Sequence, residues 1–347
     1  MIRTIGELAG KAVQEAVLRA GDHRVCILNY GCVIRQWQLQ LPGELRELVL
    51  GFEQFADYPL YSRCFGILAG RVANRTRAGQ FELDAQHYQL SLNEGAHHLH
   101  GGDPGLGGRL WQIKVNADAT EARLHYHSPD GEAGYPGNVD FTVIFTLGID
   151  GLRCEMRATP DRPTPVNLAQ HNYYNLDGGG KVLEHTLQLA ADRYMPVDHE
   201  LIPTGELRTV SGSRFDFREA KKIAAMDKDC QGYDHNMVLC EQRDRSVAAA
   251  TLVSSDGLVE LQVTTSEPGI QLYTAAGLDV PVPGLGGAKY SSFGGICLEA
   301  QHFPDSLNHP EYPGIICTRE QPYHQSLHLG IRHPGFTGRP GAIDRLP

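Results

Sequence analysis

The stretch Val139-Asp140-Phe141-Thr142-Val143-Ile144-Phe145-Thr146-Leu147-Gly148-Ile149-Asp150-Gly151-Leu152-Arg153-Cys154-Glu155-Met156-Arg157-Ala158-Thr159 decides the fold class. Apolar side chains recur at alternate positions on both sides of Asp150-Gly151, a period that fits a strand and not a helix. Asp-Gly between two such runs is a hairpin signal. Ala122 to His127, set off by the loop containing Asp130-Gly131, extends the pair to a three-stranded meander. Working outward, the same alternation predicts strands at Thr186 to Ala190, Met237 to Cys240, Ala248 to Ser254, Leu258 to Thr265 and Gln271 to Ala275. Toward the N-terminus, Arg24 to Leu41 reads as one long strand or two broken at Gly31, and Glu47 to Phe52 as the strand after the Pro42-Gly43 turn. Phe81 to Leu83 and Tyr88 to Leu92 form a hairpin around Asp84-Ala85-Gln86. Glu219 to Asp227 alone reads as a helix.

With 39 glycines and 20 prolines punctuating short strands, the expected architecture is all-β, an antiparallel sandwich or barrel-like double sheet with few short helices. No composition break and no fixed repeat divides the chain, so residues 1–333 are read as one domain and 334–347, rich in proline and glycine, as an irregular tail. The formal charge of −10 and the lack of a basic patch argue against nucleic acid or an anionic membrane as partner. No run of 18 apolar residues occurs and the N-terminus has no apolar leader-like stretch, so a cytoplasmic location is expected. The eight cysteines lack short spacings and read as buried thiols in a reducing compartment. Neither a βαβ rhythm nor a Gly-x-Gly-x-x-Gly or P-loop pattern is present, which argues against a nucleotide cofactor. His97, His98 and His100 lie close together, but no Cys partner or His-Glu-x-x-His helix accompanies them, so no metal or other cofactor is expected.

Polar groups are concentrated in five segments. In Gly294 to Asp305, Ile296, Leu298 and Ala300 would face the core while Cys297, Glu299 and Gln301 face the other way. A carboxylate among apolar neighbours has a raised pKa and serves as a general base; otherwise Glu299 lies on the solvated face of an edge strand or pairs with an arginine. Pro165 to Leu176 places Asn167, Ala169, His171, Tyr173 and Asn175 on one face if extended, a surface of amides and aromatic rings suited to a sugar. His171 titrates near neutrality and is either a general acid or a structural histidine. Gly70 to Arg75 offers Asn74 and Arg75, and Leu99-His100-Gly101-Gly102 offers a histidine beside glycines that permit close backbone approach, with His97 and His98 as loop residues. Asp234, at a loop-to-strand junction, accepts two hydroxyls or caps a turn, and Gln271 is a companion amide.

Taken in order, these segments resemble the aldose 1-epimerases, the galactose mutarotase family. The resemblance also takes in Tyr30-Gly31-Cys32, Leu50-Gly51-Phe52, Pro129 to Gly137 and Leu201 to Gly205, and covers most of residues 25 to 330. It implies a large antiparallel β-sandwich with a sugar groove on one sheet, and interconversion of the α and β anomers of a free aldose. By motif, Glu299 matches the family's base, His171 its acid and His100 a second histidine, while Asn74, Arg75, Asp234 and Gln271 match its sugar-binding residues, with Tyr173 beside them. Neither metal nor nucleotide is implied, and the chain would be a monomer or homodimer. Three other readings use the same residue types: a glycoside hydrolase with Glu299 and Asp234 as its carboxylates, a hexose-6-phosphate 1-epimerase, for which only Arg71 and Arg75 supply positive charge, and a sugar-binding module without activity.

Overall fold

The computed structural model describes residues 1–62 and 64–334. The expected irregular tail therefore lies, apart from Pro334, outside the described residues.

The meander forms where the alternation places it. Strands Glu121–Ser128, Val139–Gly148 and Gly151–Pro160 pair antiparallel in sequence order, and the last continues onto the long C-terminal strand Tyr323–Arg332. They lie within a nine-stranded sheet that starts at Gln112–Val115 and, beyond Tyr323–Arg332, adds Glu260–Thr265, Ala250–Val253, Thr186–Leu189 and Lys221–Lys222. Val139, Phe141, Val143, Phe145 and Leu147 are all buried, as are Leu152, Cys154, Met156 and Ala158 from the neighbouring strand. Burial of each such large side chain is worth about 1.5–3 kcal/mol, which sets the register of the sheet.

Across this core lies a five-stranded N-terminal sheet of Ile2–Leu8, Lys11–Ala20, His23–Leu28, Ile34–Leu41 and Glu44–Glu47. Lys11–Ala20 packs on the meander, and a single hydrophobic cluster draws on residues from Ala16 to Ile331. A second five-stranded sheet, Arg208–Thr209, Ala191–Tyr194, Asp234–Leu239, Gly269–Tyr273 and Cys297–Gln301, carries the candidate site. Among the described residues the ladders of these sheets are antiparallel, and the architecture is an antiparallel β-sandwich. Among the described residues the α-helices are Asp57–Tyr61 and Ile223–Met226, and no helix is long and apolar enough to cross a membrane.

Arg24 to Leu41 is two strands with the break at Asn29 to Val33, around Gly31, the second of the two forms expected. Several other expectations are corrected. Of Glu47 to Phe52 only Glu47 lies in a strand, because the later amides leave the ladder: Leu50 N–H donates to Tyr173 O, Gly51 N–H to the Tyr290 hydroxyl and Phe52 N–H to the Tyr58 hydroxyl. The hairpin pairs Gln80–Leu83 with Gln86–Gln89 across Asp84-Ala85, both at positive φ, so the turn is tighter than expected. The expected helix shrinks to Ile223–Met226, since Lys221 and Lys222 pair with the strand Thr186–Leu189. The thiols are not uniformly buried: Cys230 is exposed, and Cys64 and Cys240 are half-buried.

Candidate active site

Strand register builds the site. In the second five-stranded sheet, Asn236 lies opposite Gln271 and Gln271 opposite Glu299, while Asp234 lies opposite Tyr273 and Tyr273 opposite Cys297. Directly opposed residues share a face, so Asp234, Gln271 and Glu299 come together from three chain regions. Ile296, Leu298 and Ala300 fill the main core, as their alternation predicts. The other face of this strand is buried as well, because the short strand Ala169–His171, itself paired with Ile67–Ala69, packs on Cys297–Gln301. Glu299 is therefore neither on an edge strand nor solvated.

That packing sets Glu299 Oε1 3.4 Å from His171 Nε2. The residues are 1% and 5% exposed, so both groups are nearly dry. Burial, helped by the Asp234 charge and opposed by Arg75, holds the Glu299 carboxyl well above the usual carboxylate range. Burial also lowers His171 to about 4. Desolvation thus favours the neutral form of each partner. Glu299 Oε2 and His171 Nδ1 are buried with no hydrogen-bond partner. Tyr173 stacks on the His171 ring at 5.2 Å between centroids and 18° between planes, fixing its orientation.

His100 completes the group, its ring edge-on to His171 at 5.2 Å. Its Nδ1 accepts the Asn74 N–H at 3.2 Å, which assigns the hydrogen of the neutral ring to Nε2. Burial, with the charges of His171 and Arg75, keeps His100 well below the ordinary histidine range and so in that neutral form. The glycine after it is required. At Gly101, φ is +85° and a Cβ would lie 1.7 Å from Gly70 O, so no other residue fits without moving the chain.

On the remaining side, Arg75 donates to both Glu94 oxygens, at 2.6 and 2.8 Å, and its Nη1 lies 3.8 Å from Asp234 Oδ2. Gln271 Nε2 donates to Asp234 Oδ1 at 2.6 Å, leaving the buried Gln271 Oε1 without a partner. Burial raises the Asp234 pKa despite the opposing pull of Arg75 and Gln271. Asn74 sits at φ +63° with Oδ1 accepting the Arg75 N–H, so its amide is partly engaged in holding the loop.

All eight expected site residues, Asn74, Arg75, His100, His171, Tyr173, Asp234, Gln271 and Glu299, belong to this one constellation. Their neighbours in the same motifs do not. Arg71 points away and donates to Ser128 Oγ and to the carbonyls of Pro129, Pro136 and Gly137. Asn167 pairs with the His302 backbone, and Asn175 with the Gly294 and Gly180 carbonyls, so the expected amide-rich surface is buried and structural. His97 and His98 are buried too, His98 between Ser91 O and the Tyr135 hydroxyl. Sequence reasoning missed Glu94, Cys64 and Cys297. Glu94 stands one residue after Asn93 in the His100 loop without a distinguishing pattern, while Cys64, His100 and His171, and likewise His171, Cys297 and Glu299, place ligand-type atoms within 4.8 Å of one another.

The sequence pattern that defines aldose 1-epimerases matches residues 15–330. A galactose mutarotase of Homo sapiens is 36% identical over 326 residues, covering 92% of this chain and 94% of its own. An aldose 1-epimerase of Escherichia coli K12 is 37% identical over 302 residues, covering 84% and 87%. A crystal structure of an aldose epimerase homologue from C. elegans superposes with a TM-score of 0.87 at 28% identity, covering 93% of this chain and 99% of that one. A galactose 1-epimerase from Lactobacillus acidophilus superposes at 0.83 with 27% identity, covering 96% and 98%. With the match spanning nearly its whole length in both sequence and fold, the chain belongs to the aldose 1-epimerase family.

Proposed function

We propose that this protein is an aldose 1-epimerase that interconverts the α and β anomers of a free aldose such as galactose or glucose. The observation that carries the reading is the dry pair of Glu299 and His171, 3.4 Å apart, beside a row of side chains able to hold sugar hydroxyls. Anomer exchange needs one proton removed from the C1 hydroxyl and one delivered to the ring oxygen. Glu299, ionised as its proton passes to His171, takes the C1-hydroxyl proton, and imidazolium His171 gives one to the ring oxygen. The C1–O5 bond breaks, C1 becomes an aldehyde, and rotation about C1–C2 exposes its other face. Reclosure reverses both transfers and restores the pair. His100, with its hydrogen on Nε2, donates a hydrogen bond to a sugar oxygen.

Asp234, Arg75, Gln271 and Asn74 hold the hydroxyls so that C1 stays between base and acid, while Tyr173 orients His171. The hexose-6-phosphate alternative lacks support, because Arg71 is turned away and Arg75 is already matched by Glu94 and Asp234. Residues 1–333 are taken as one catalytic domain, in keeping with a core cluster that runs from Ala16 to Ile331, and the protein as a cytoplasmic monomer or homodimer. Polarimetry on freshly dissolved α-galactose, α-glucose, α-xylose and α-arabinose tests the proposal. Relaxation faster than buffer for at least one sugar is expected; buffer-level rates with demonstrable sugar binding would instead identify a binding module.

A further inference from the structure

Two sets of ligand-type side chains meet at His171: Cys64 with His100 on one side, Cys297 with Glu299 on the other. Their chemistry separates them. His100 accepts the Asn74 N–H at Nδ1, so its other nitrogen carries the hydrogen and has no lone pair for a cation. Ligation by His100 would sever a backbone hydrogen bond. The second set has no such conflict. Cys297 and Glu299 are two residues apart on one strand and share a face, and His171 Nε2 already lies 3.4 Å from Glu299 Oε1. In a tetrahedral zinc site, ligand atoms about 2.0–2.3 Å from the metal are about 3.3–3.8 Å apart. The His171–Glu299 separation meets that value, and Cys297 Sγ lies within 4.8 Å of both. Glu299 Oε2, buried and without a partner, is a second acceptor in the same space.

We propose that Cys297, His171 and Glu299 form a binding site for a thiophilic divalent cation of the zinc type, which shuts the enzyme off reversibly by occupying both proton carriers. A thiolate, an imidazole and a carboxylate suit zinc and select against magnesium or calcium, which take oxygen ligands. Uptake releases two protons to solvent, the Cys297 thiol proton and the one that the Glu299–His171 pair holds. The inhibition rests on the aldose 1-epimerase reading, but the binding does not.

The test uses the full chain with Zn²⁺ alone, by equilibrium dialysis and by mutarotation rate, together with Cd²⁺ absorption in the ultraviolet. Wild type is expected to take up one Zn²⁺, lose activity, recover it on chelation, and show a thiolate-to-Cd²⁺ charge-transfer band. Cys297→Ser should weaken Zn²⁺ binding by about 10–100-fold or more and lose the band. Cys64→Ser should leave binding and band unchanged. Wild type without stoichiometric uptake or without the band, or a loss of binding that follows Cys64→Ser in place of Cys297→Ser, overturns the proposal. An inactive metal-free wild type refutes the epimerase reading alone, since dialysis decides the binding separately.

Discussion

Acidification should destabilise this protein through His171 by an amount the site fixes. Its pKa falls from 6.5 to about 4 on folding because burial penalises the imidazolium. A histidine whose folded pKa is depressed contributes stability that is present above pH 6.5 and is lost as the pH falls through about 4. The separation of about two and a half pH units is worth about 3 kcal/mol, a large share of the roughly 5–15 kcal/mol that keeps a domain folded. Glu299 does not rescue the charge, since the same burial pushes its carboxyl well above the usual range and toward the neutral form. His23, His235 and His328 are also lowered to about 4, so acid unfolding of wild type alone sums several groups. His171→Gln isolates one of them. Urea unfolding of both proteins at about pH 7.5 and about pH 4 should show the stability gap moving by about 3 kcal/mol in favour of the variant at the lower pH. A gap that stays constant would mean that His171 is protonated in the fold as readily as in water, and the dry acid–base pair would be wrong.

Three further perturbations probe other parts of the structure. Glu94→Ala removes both hydrogen bonds that hold the Arg75 guanidinium; with Glu94 partly exposed, the loss is about 1–2 kcal/mol and should appear as a roughly five- to thirtyfold rise in KM with kcat little changed, and an unchanged KM would remove Arg75 from sugar binding. Gly101→Ala adds a Cβ at a positive φ against Gly70 O, which should cost at least about 1–3 kcal/mol and lower kcat by displacing His100; wild-type stability by thermal melt would contradict the close approach. Phe145→Ala, at a fully buried position in the meander, should lower unfolding free energy by about 3–5 kcal/mol while leaving kcat intact wherever the protein remains folded, as steady-state rates at low temperature would show.

The meander was legible in the sequence because Val139 to Thr159 alternates under strong burial and turns at Asp150-Gly151, so local pattern and tertiary need agree. Glu47 to Phe52 has the same apolar content, yet its amides go to Tyr173 O and to two tyrosine hydroxyls that no local pattern announces. The site divides in the same way. Glu299 and His171 stand out as polar groups in apolar runs, and family resemblance names them. Their contact depends on the strand Ala169–His171 packing over Cys297–Gln301, a long-range event that also buries the face alternation leaves polar. Glu94 and Cys297 gain meaning only from register and loop closure, through Arg75 in one case and through His171 and Glu299 in the other. Arg71 shows the converse, since its motif reads as functional while its guanidinium holds the loop from Ser128 to Gly137.

The central claim is that Glu299 is the base, and Glu299→Gln tests it most directly. The amide keeps the volume of the carboxyl but accepts no proton, so kcat for freshly dissolved α-galactose should fall by about 10²–10⁴-fold, with KM little changed. In barrier terms that is about 3–5.5 kcal/mol. A Glu299→Gln protein that relaxes the sugar as fast as wild type in the polarimeter would contradict the account.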